Sequence, residues 1–329
     1  MKNNKLILGT LLGIILIIIL VMLFIPKKEP QSNLQKITVA EVTHSAFYTP
    51  FYIAIEKGYF AEEGLEIELI LTSGADKVSA AVLSGDVEIG FAGPEASIYV
   101  YEGGEEDYIV SFAGLTKRDG QFIVARENTN FKLEDLIGKE VLVGRLGGMP
   151  ALNFLNALKN NNINPDDINL NYSVEFAALS GSFIGGTGDY VNLFEPTATK
   201  LANENLGYVV ASIGLLSGEV PYTAFNARKS YIENNTEIIE KFTRALNKGI
   251  DFTFNNDEET LAKIILPQFP DSSQNDLAQI IKRYKDNDCF LTSTFISEES
   301  FNNLQDIMID NGLLDDYVSY NDLIKNFYE

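Results

Sequence analysis

His44 is the first residue of this 329-residue chain to consider for chemistry, because the chain contains no other histidine. A histidine that acts as a switch or a base needs a partner that orients its ring. The sequence shows no such partner for this loop position. Because His44 lies in the loop where open α/β sheets bind ligands, we expect it to contact a ligand, with a structural polar contact as the equal alternative. We expect no catalytic residue.

Two glutamates lie where a carboxylate could accept a hydrogen bond from a ligand N–H. Glu195 ends the apolar strand segment 190–194, where a buried carboxylate is costly unless it is paired. Glu95 opens a predicted helix, whose dipole stabilises an anion, so capping is the alternative account. We predict Glu195 as the strongest ligand contact and Glu95 as a further one.

Aromatic and glycine residues complete the predicted site. Phe47 and Tyr48 could stack on a flat ligand ring, and we expect one to face the cleft and the other the core. Gly147, Gly148 and Met149 precede a helix, where free backbone N–H groups bind acceptor atoms. A plain tight turn is the alternative there. We expect no metal and no cofactor.

The elements that position these residues follow an alternating pattern. Segment 36–42 has the pattern of a strand, and Pro50 suits the first turn of a helix. The loop 44–48 therefore lies between the carboxyl end of a strand and the amino end of a helix, where open α/β sheets bind ligands. Strands and helices alternate onward, which predicts parallel α/β sheets. Two segments, 118–126 and 219–228, are predicted to cross between lobes.

The amino-terminal residues 6–25 form an uncharged apolar run that is long enough to span a bilayer. Neither a small-residue cleavage site nor a lipoprotein cysteine follows the run. We predict a signal anchor, a transmembrane helix, over residues 1–26 and a polar tether over 27–35. Cleavage near residues 30–32 is the alternative.

Composition excludes several classes of function. The formal net charge of −21 argues against nucleic acid and against broad contact with anionic lipid. The only cysteine, Cys289, excludes an internal disulfide and a cysteine-based zinc cluster. Tryptophan is absent, so any aromatic recognition must use Phe and Tyr.

Several phrases resemble a known family. EKGYFAEEGL, residues 56–65, resembles the first motif of extracytoplasmic solute-binding proteins of ABC importers for nitrate, sulfonates, taurine and thiamin-pyrimidine precursors. GGMP at 147–150, SGSFIGGTGDYVNLFEPTA at 180–198 and SGEVPYTAF at 217–225 resemble the subgroup linked to thiamin-pyrimidine precursors. In that subgroup a glutamate at the position of Glu195 can meet an aminopyrimidine-like group.

The resemblance implies an α/β fold of the two-lobed periplasmic-binding-protein-like class, type II. Lobe 1 would comprise 36–119 and 227–329, and lobe 2 would comprise 127–219. The globular part would face outward from the cell membrane as a monomer, capture a small heteroaromatic solute by hinge closure and deliver it to an ABC permease. One alternative is a sulfonate-, nitrate- or taurine-binding protein. Another is a thiamin-pyrimidine-synthase-like enzyme, which uses a cysteine-rich segment that this chain lacks.

Overall fold

The computed structural model describes residues 34–72 and 74–328. The predicted signal anchor, 1–26, and all but the last two residues of the tether, 27–35, lie outside the described residues. Within the described part of the chain, no helix has the length and apolarity needed to cross a membrane.

The strands of the described chain form two sheets. They are β1 Gln35–Glu41, β2 Leu65–Leu71, β3 Ile89–Ala92, β4 Ile109–Thr116, β5 Phe122–Ala125, β6 Glu140–Leu142, β7 Asn169–Asn171, β8 Tyr190–Leu193, β9 Tyr208–Ser212 and β10 Thr223–Arg228. The first sheet has the order β2-β1-β3-β10-β4, and the second has the order β7-β6-β8-β5-β9. The predicted α/β class is therefore confirmed, with two sheets.

The prediction that the sheets are parallel is wrong for one strand in each. β1 pairs in parallel with β2 and β3, and β6 does so with β7 and β8. β10 instead runs antiparallel to β3 and β4, and β5 runs antiparallel to β8 and β9. Both strands follow a link that comes from the other sheet. A crossover connection within one sheet, which returns the chain in parallel register, is therefore not what precedes them.

The helices cover the two sheets. They are α1 Thr49–Glu56, α2 Tyr59–Glu62, α3 Ala75–Ser84, α4 Glu95–Glu102, α5 Met149–Asn160, α6 Leu179–Ile184, α7 Thr197–Asn203, α8 Ile213–Ser217, α9 Lys229–Asn234, α10 Thr236–Asn255, α11 Glu258–Ile265, α12 Gln274–Asp286, α13 Glu298–Asp310 and α14 Tyr320–Leu323. Short 3₁₀ turns cover Ala46–Tyr48, Leu133–Leu136, Pro165–Asp167, Phe176–Ala178 and Leu266–Gln268.

Close packing fixes the position of α1, which directly follows Tyr48 in the chain. Gly249 of α10 lies so near α1 that a Cβ there would be 2.3 Å from the Pro50 carbonyl oxygen. Phe51 points from α1 into a cluster of rings, where its centroid lies 4.9 Å from that of Phe225. Burying a ring of this size contributes about 1.5–3 kcal/mol. These contacts hold α1 against α10 and β10.

Two links join the sheets, residues 117–121 between β4 and β5 and residues 213–222 between β9 and β10. They overlap the predicted crossings, 118–126 and 219–228, whose other residues include β5 and β10. The lobe boundaries stay a prediction. The first link is anchored by Cys289, which is 1% exposed and whose carbonyl oxygen accepts from the Lys117 backbone N–H at 2.8 Å.

Candidate functional site

A cavity of about 350 Å³ lies where the two sheets face each other. Each sheet contributes residues that follow two adjacent parallel strands, which are Val42 and Thr43 after β1, Gly93 after β3, Gly144 and Arg145 after β6, and Phe194 after β8. Carboxyl ends of parallel strands are where α/β sheets bind ligands. The cavity is thus the site that the strand order favours.

The residues predicted from the sequence divide into two groups. Tyr48, Glu95, Gly148 and Met149 line the cavity. The structure places His44, Phe47, Gly147 and Glu195 outside its lining, each in contacts described below. The cavity therefore brings together half of the predicted set, from both sheets.

Glu95 is the buried charge of the cavity. It lies in the first turn of α4 and is 2% exposed. Its Oε1 accepts from the Met149 backbone N–H at 3.3 Å. Its Oε2 has no hydrogen-bond partner among the described residues. Burial raises the pKa of this carboxyl to about 7, even though the Met149 N–H favours the charged form.

The position of the Glu95 carboxylate depends on Gly93. A Cβ at Gly93 would lie 2.0 Å from Glu95 Oε2 and 2.3 Å from Met149 Cγ. Because Gly93 lacks that atom, the carboxylate folds back over it at the cavity wall. Arg145, whose charge also acts on Glu95, is half-exposed and pairs with Asp76 at 3.7 Å. The free oxygen is thus left for another donor.

Aromatic rings form much of the remaining wall. Tyr48, Phe176, Phe194 and Tyr222 line the cavity, and the centroids of Phe176 and Phe194 lie 5.6 Å apart. Tyr48 is wedged edge-on against Phe91 at 4.4 Å, and burial raises the pKa of its hydroxyl. These rings offer flat apolar surfaces to a small planar molecule.

His44 lies in a charge cluster beside the cavity. Its Nδ1 bonds Glu41 Oε1 at 2.6 Å, and its Nε2 bonds the Gln268 carbonyl oxygen at 2.9 Å. Tyr52 donates to the other Glu41 oxygen at 2.8 Å. Burial disfavours the imidazolium, but the hydrogen bond and charge of Glu41 outweigh it, so the pKa of His44 is raised. These are the structural polar contacts weighed as the alternative.

Glu195 is held by partners of its own. Its carboxylate pairs with Arg283 and accepts from the Thr199 backbone N–H at 2.8 Å and the Thr199 hydroxyl at 3.0 Å. Its backbone carbonyl accepts from the Ser45 hydroxyl at 2.5 Å, and its N–H donates to the Tyr284 hydroxyl at 3.1 Å. Burial raises the pKa of Glu195 in spite of Arg283. The residue ties the end of β8 to α12 and to the Ser45 loop.

Phe47 and Gly147 are placed by packing and by the backbone. The Phe47 ring lies in the core over the first link, where a Cβ at Gly120 would be 2.5 Å from it, and 5.1 Å from Tyr284. Gly147 has a φ of 81°, which favours glycine. Its carbonyl oxygen accepts from Tyr99 at 2.9 Å. That bond and the Glu95–Met149 bond join α4 to the start of α5.

The sequence did not predict a role for two residues of the links, Tyr222 and Asp119. Tyr222 lines the cavity and is 4% exposed, and its hydroxyl has no hydrogen-bond partner in the described chain. Asp119 is fully buried, and its Oδ1 accepts from the Gln121 N–H at 2.7 Å. The sequence feature that could have indicated them is their position, since Asp119 lies in the predicted crossing 118–126 and Tyr222 lies in the predicted crossing 219–228. No arrangement of three or more His, Cys, Asp or Glu side chains suited to a metal occurs in residues 34–72 and 74–328.

Comparison with known proteins gives matches over most of the chain. A protein of Bacillus subtilis (strain 168) named "Putative binding protein YtlA" is 39% identical over 297 residues, which cover 90% of this chain and 89% of that protein. The formylaminopyrimidine-binding protein of Halalkalibacterium halodurans is 22% identical over 229 residues, 68% of each chain. The 4-amino-5-hydroxymethyl-2-methylpyrimidine phosphate synthase of Aspergillus parasiticus is 25% identical over 233 residues, 66% of each.

Solved structures share the fold at lower identity. The alkanesulfonate-binding protein SsuA of Xanthomonas axonopodis pv. citri, bound to MOPS, superposes with a TM-score of 0.71 at 14% identity, covering 88% of this chain and 98% of that one. The two sheets thus form a periplasmic-binding-protein-like fold. The model of the family described as "NMT1/THI5 like" matches residues 46–260, and the chain belongs to that family.

Proposed function

We propose that this chain is the solute-binding component of an ABC importer and that its solute is a small heteroaromatic molecule with at least one N–H donor. The observation that carries the proposal is the free Glu95 Oε2 at the wall of the cavity. A hydrogen bond to a charged acceptor contributes about 1.5–3 kcal/mol, and a buried acceptor left without a donor is costly. A ligand N–H would remove that cost.

The rings around Glu95 support a flat solute. Stacking between aromatic faces contributes about 0.5–1.5 kcal/mol beyond burial of area. A cavity of about 350 Å³ lies at the small end of ligand pockets, about 300–1,000 Å³. The relative in Halalkalibacterium halodurans is named for formylaminopyrimidine, a solute of this kind.

The charges of the cavity disfavour an acid such as a sulfonate. Lys77 and Arg145 belong to the lining, but Lys77 is exposed and Arg145 is half-exposed and faces Asp76. The buried acid is Glu95, whose pKa is raised to about 7. A desolvated anion beside its ionised form would be repelled. At 14% identity, the sulfonate-binding neighbour shares the fold with this chain, and a shared fold does not imply a shared solute.

Binding without chemistry agrees with the contacts of His44. A general base must reach the proton that it removes, and His44 is instead bonded on both ring nitrogens beside the cavity. We therefore propose a carrier, in which lobes 36–119 with 227–329 and 127–219 close over the solute and pass it to a permease. In this proposal the protein is a monomer exported behind the anchor at 1–26.

Calorimetry on the purified full chain tests the proposal, with 4-amino-2-methylpyrimidine and ethanesulfonate as probes. We expect the aminopyrimidine to bind, and Glu95→Gln to weaken it by about tenfold to a hundredfold through loss of a charged hydrogen bond. The matched control is Glu102→Gln, an exposed glutamate at the end of the same helix, which should bind like the parent. Binding of the sulfonate but not of the aminopyrimidine would overturn the solute assignment.

A further inference from the structure

The two links between the sheets meet through one residue each, Asp119 and Tyr222, and Tyr222 lines the cavity. Tyr222 ends the second link, and its backbone N–H donates to the Thr116 carbonyl oxygen at 3.0 Å. Asp119 lies in the first link and is held by its bond from the Gln121 N–H. The two side chains are close enough for the charge of Asp119 to act on the Tyr222 hydroxyl. One residue from each link thus contributes to a single polar cluster.

Each side chain has a polar atom that forms no well-aligned hydrogen bond within the described residues. These atoms are the Tyr222 hydroxyl and Asp119 Oδ2, which are buried and lie near enough to each other for a bond between them to influence both pKa values. The neighbouring Arg118 pairs instead with Asp288 at 3.5 Å and Glu219 at 4.0 Å. A buried polar group without a well-formed hydrogen bond is costly. A second partner that enters from the cavity would remove this cost for Tyr222.

The aromatic surroundings fix the direction of the Tyr222 ring. Its centroid lies 5.7 Å from that of Phe47 in an edge-on contact and 6.2 Å from that of Phe194. Both neighbours are buried. The ring therefore has little freedom to turn, and its hydroxyl is held near enough to Glu95, at the cavity wall, for the charge of Glu95 to act on it.

We infer that the Tyr222 hydroxyl, positioned by Asp119, donates a hydrogen bond to an acceptor atom of the solute, which makes Tyr222 a specificity-determining residue. The inference rests on the proposed function. Asp119 is buried without a cation at ion-pair distance among the described residues, so its neutral acid form is favoured. A neutral carboxyl donates to the tyrosine oxygen and leaves the hydroxyl proton for the solute.

The solute class follows from the two anchors. Glu95 accepts a hydrogen bond, and Tyr222 donates one. A matching flat molecule carries an amino group together with a ring nitrogen or a carbonyl oxygen. Aminopyrimidines have this pair of groups, whereas anilines have the amino group alone.

The test compares 4-amino-2-methylpyrimidine with 3-methylaniline, which has the amine but no ring nitrogen. Calorimetry on the full chain should show that the parent prefers the pyrimidine. Tyr222→Phe should weaken the pyrimidine by about threefold to tenfold, the value of one hydrogen bond, and leave the aniline unchanged. Tyr190→Phe, a tyrosine of the second sheet outside the cavity lining, should change neither.

Asp119 variants separate positioning from packing. Asp119→Asn keeps a neutral side chain that can donate and should retain the preference, whereas Asp119→Leu should lose it. Thermal melts identify any Asp119 variant that fails to fold. In that case the titrations of Tyr222→Phe with the two probes decide whether the inference holds. An equal effect of Tyr222→Phe on both probes, or no effect on either, would overturn the inference while the function stands. A parent that binds neither probe would overturn the proposed solute class and this inference together.

Discussion

Glu95 and Glu195 occupy similar places in the two sheets, yet they differ in what holds them. Each follows a strand, lies next to a proline and is at most 2% exposed. Glu195 uses both carboxylate oxygens on Arg283 and Thr199. Glu95 has one backbone N–H at 3.3 Å and one free oxygen. A buried carboxylate with a cation is a structural tie, and one without a cation is a candidate binding group.

Glu41 belongs with Glu195 in this comparison. It is buried, and both of its oxygens are used, one by His44 at 2.6 Å and one by Tyr52 at 2.8 Å. Among these three glutamates, the one that lines the cavity is the one that lacks a charged partner at ion-pair distance.

The largest expected effect is on the pH dependence of stability through Glu95. Its folded pKa of about 7 exceeds the ordinary 4.5, so between these values the folded state holds more protons than the unfolded state. The free energy of unfolding should therefore fall as pH rises through this window, by about 3 kcal/mol at 1.36 kcal/mol per unit. Denaturant unfolding of the parent and Glu95→Gln from pH 4.5 to 8 measures it. Parallel curves for the two proteins would contradict the account.

Removing the partner of Glu195 should have the next largest effect. Arg283→Met leaves a buried carboxylate without its cation, and we expect a loss of about 2 kcal/mol in the free energy of unfolding. That is below the 3–5 kcal/mol of a fully buried pair, because the Arg283 side chain is 34% exposed. The double variant with Glu195→Gln should recover most of the loss. An unchanged midpoint in Arg283→Met would show that the pair is not a structural tie.

Gly93→Ala tests whether the placement of the Glu95 carboxylate matters. The new Cβ would overlap Glu95 Oε2, a side-chain end, and Met149 Cγ, which lies in the middle of a buried side chain. We therefore expect a loss of about 1–3 kcal/mol in the free energy of unfolding and about a tenfold loss of aminopyrimidine affinity in the folded protein, as for one misplaced hydrogen bond. Gly181→Ala in α6, where a Cβ meets nothing within 4 Å, is the control. Equal affinities of both variants would separate Glu95 from the site.

The smallest effect concerns Glu41 and His44. The raised pKa of His44 implies that its contribution to stability is complete below its ordinary value of 6.5 and is lost as pH rises through the folded pKa. We expect less than about 1 kcal/mol, because the ring is partly exposed. The single histidine gives one imidazole signal in an NMR titration. Glu41→Gln should lower its pKa, and an unchanged titration would show that Glu41 is not its partner.

The sequence was informative where the signal is local. Pro50 was predicted to lie in the first turn of a helix, and it is the second residue of α1, Thr49–Glu56. The alternation of strands and helices likewise predicted the two α/β sheets. These features depend on residues a few positions apart, so periodicity and capping rules can detect them.

Long-range pairing explains what the sequence could not supply. Glu195 was ranked above Glu95 because a buried carboxylate needs a partner, yet the partner, Arg283, lies 88 positions away. Tyr222 and Asp119 come together only because the two links are adjacent in space. The antiparallel direction of β5 and β10 likewise follows from how the chain passes between sheets, which hydrophobic alternation does not encode.

The burial of Cys289 makes the protein well suited to fluorescence. Burial raises the pKa of its thiol, and since thiolates are the species that react with maleimides, a dye should spare it. A cysteine placed at exposed Lys159 or Asp310, which pair across α5 and α13, would then be labelled alone. Because tryptophan is absent from the chain, an indole introduced opposite the dye and excited above the tyrosine absorption band would report the distance between the two helices without emission from another indole.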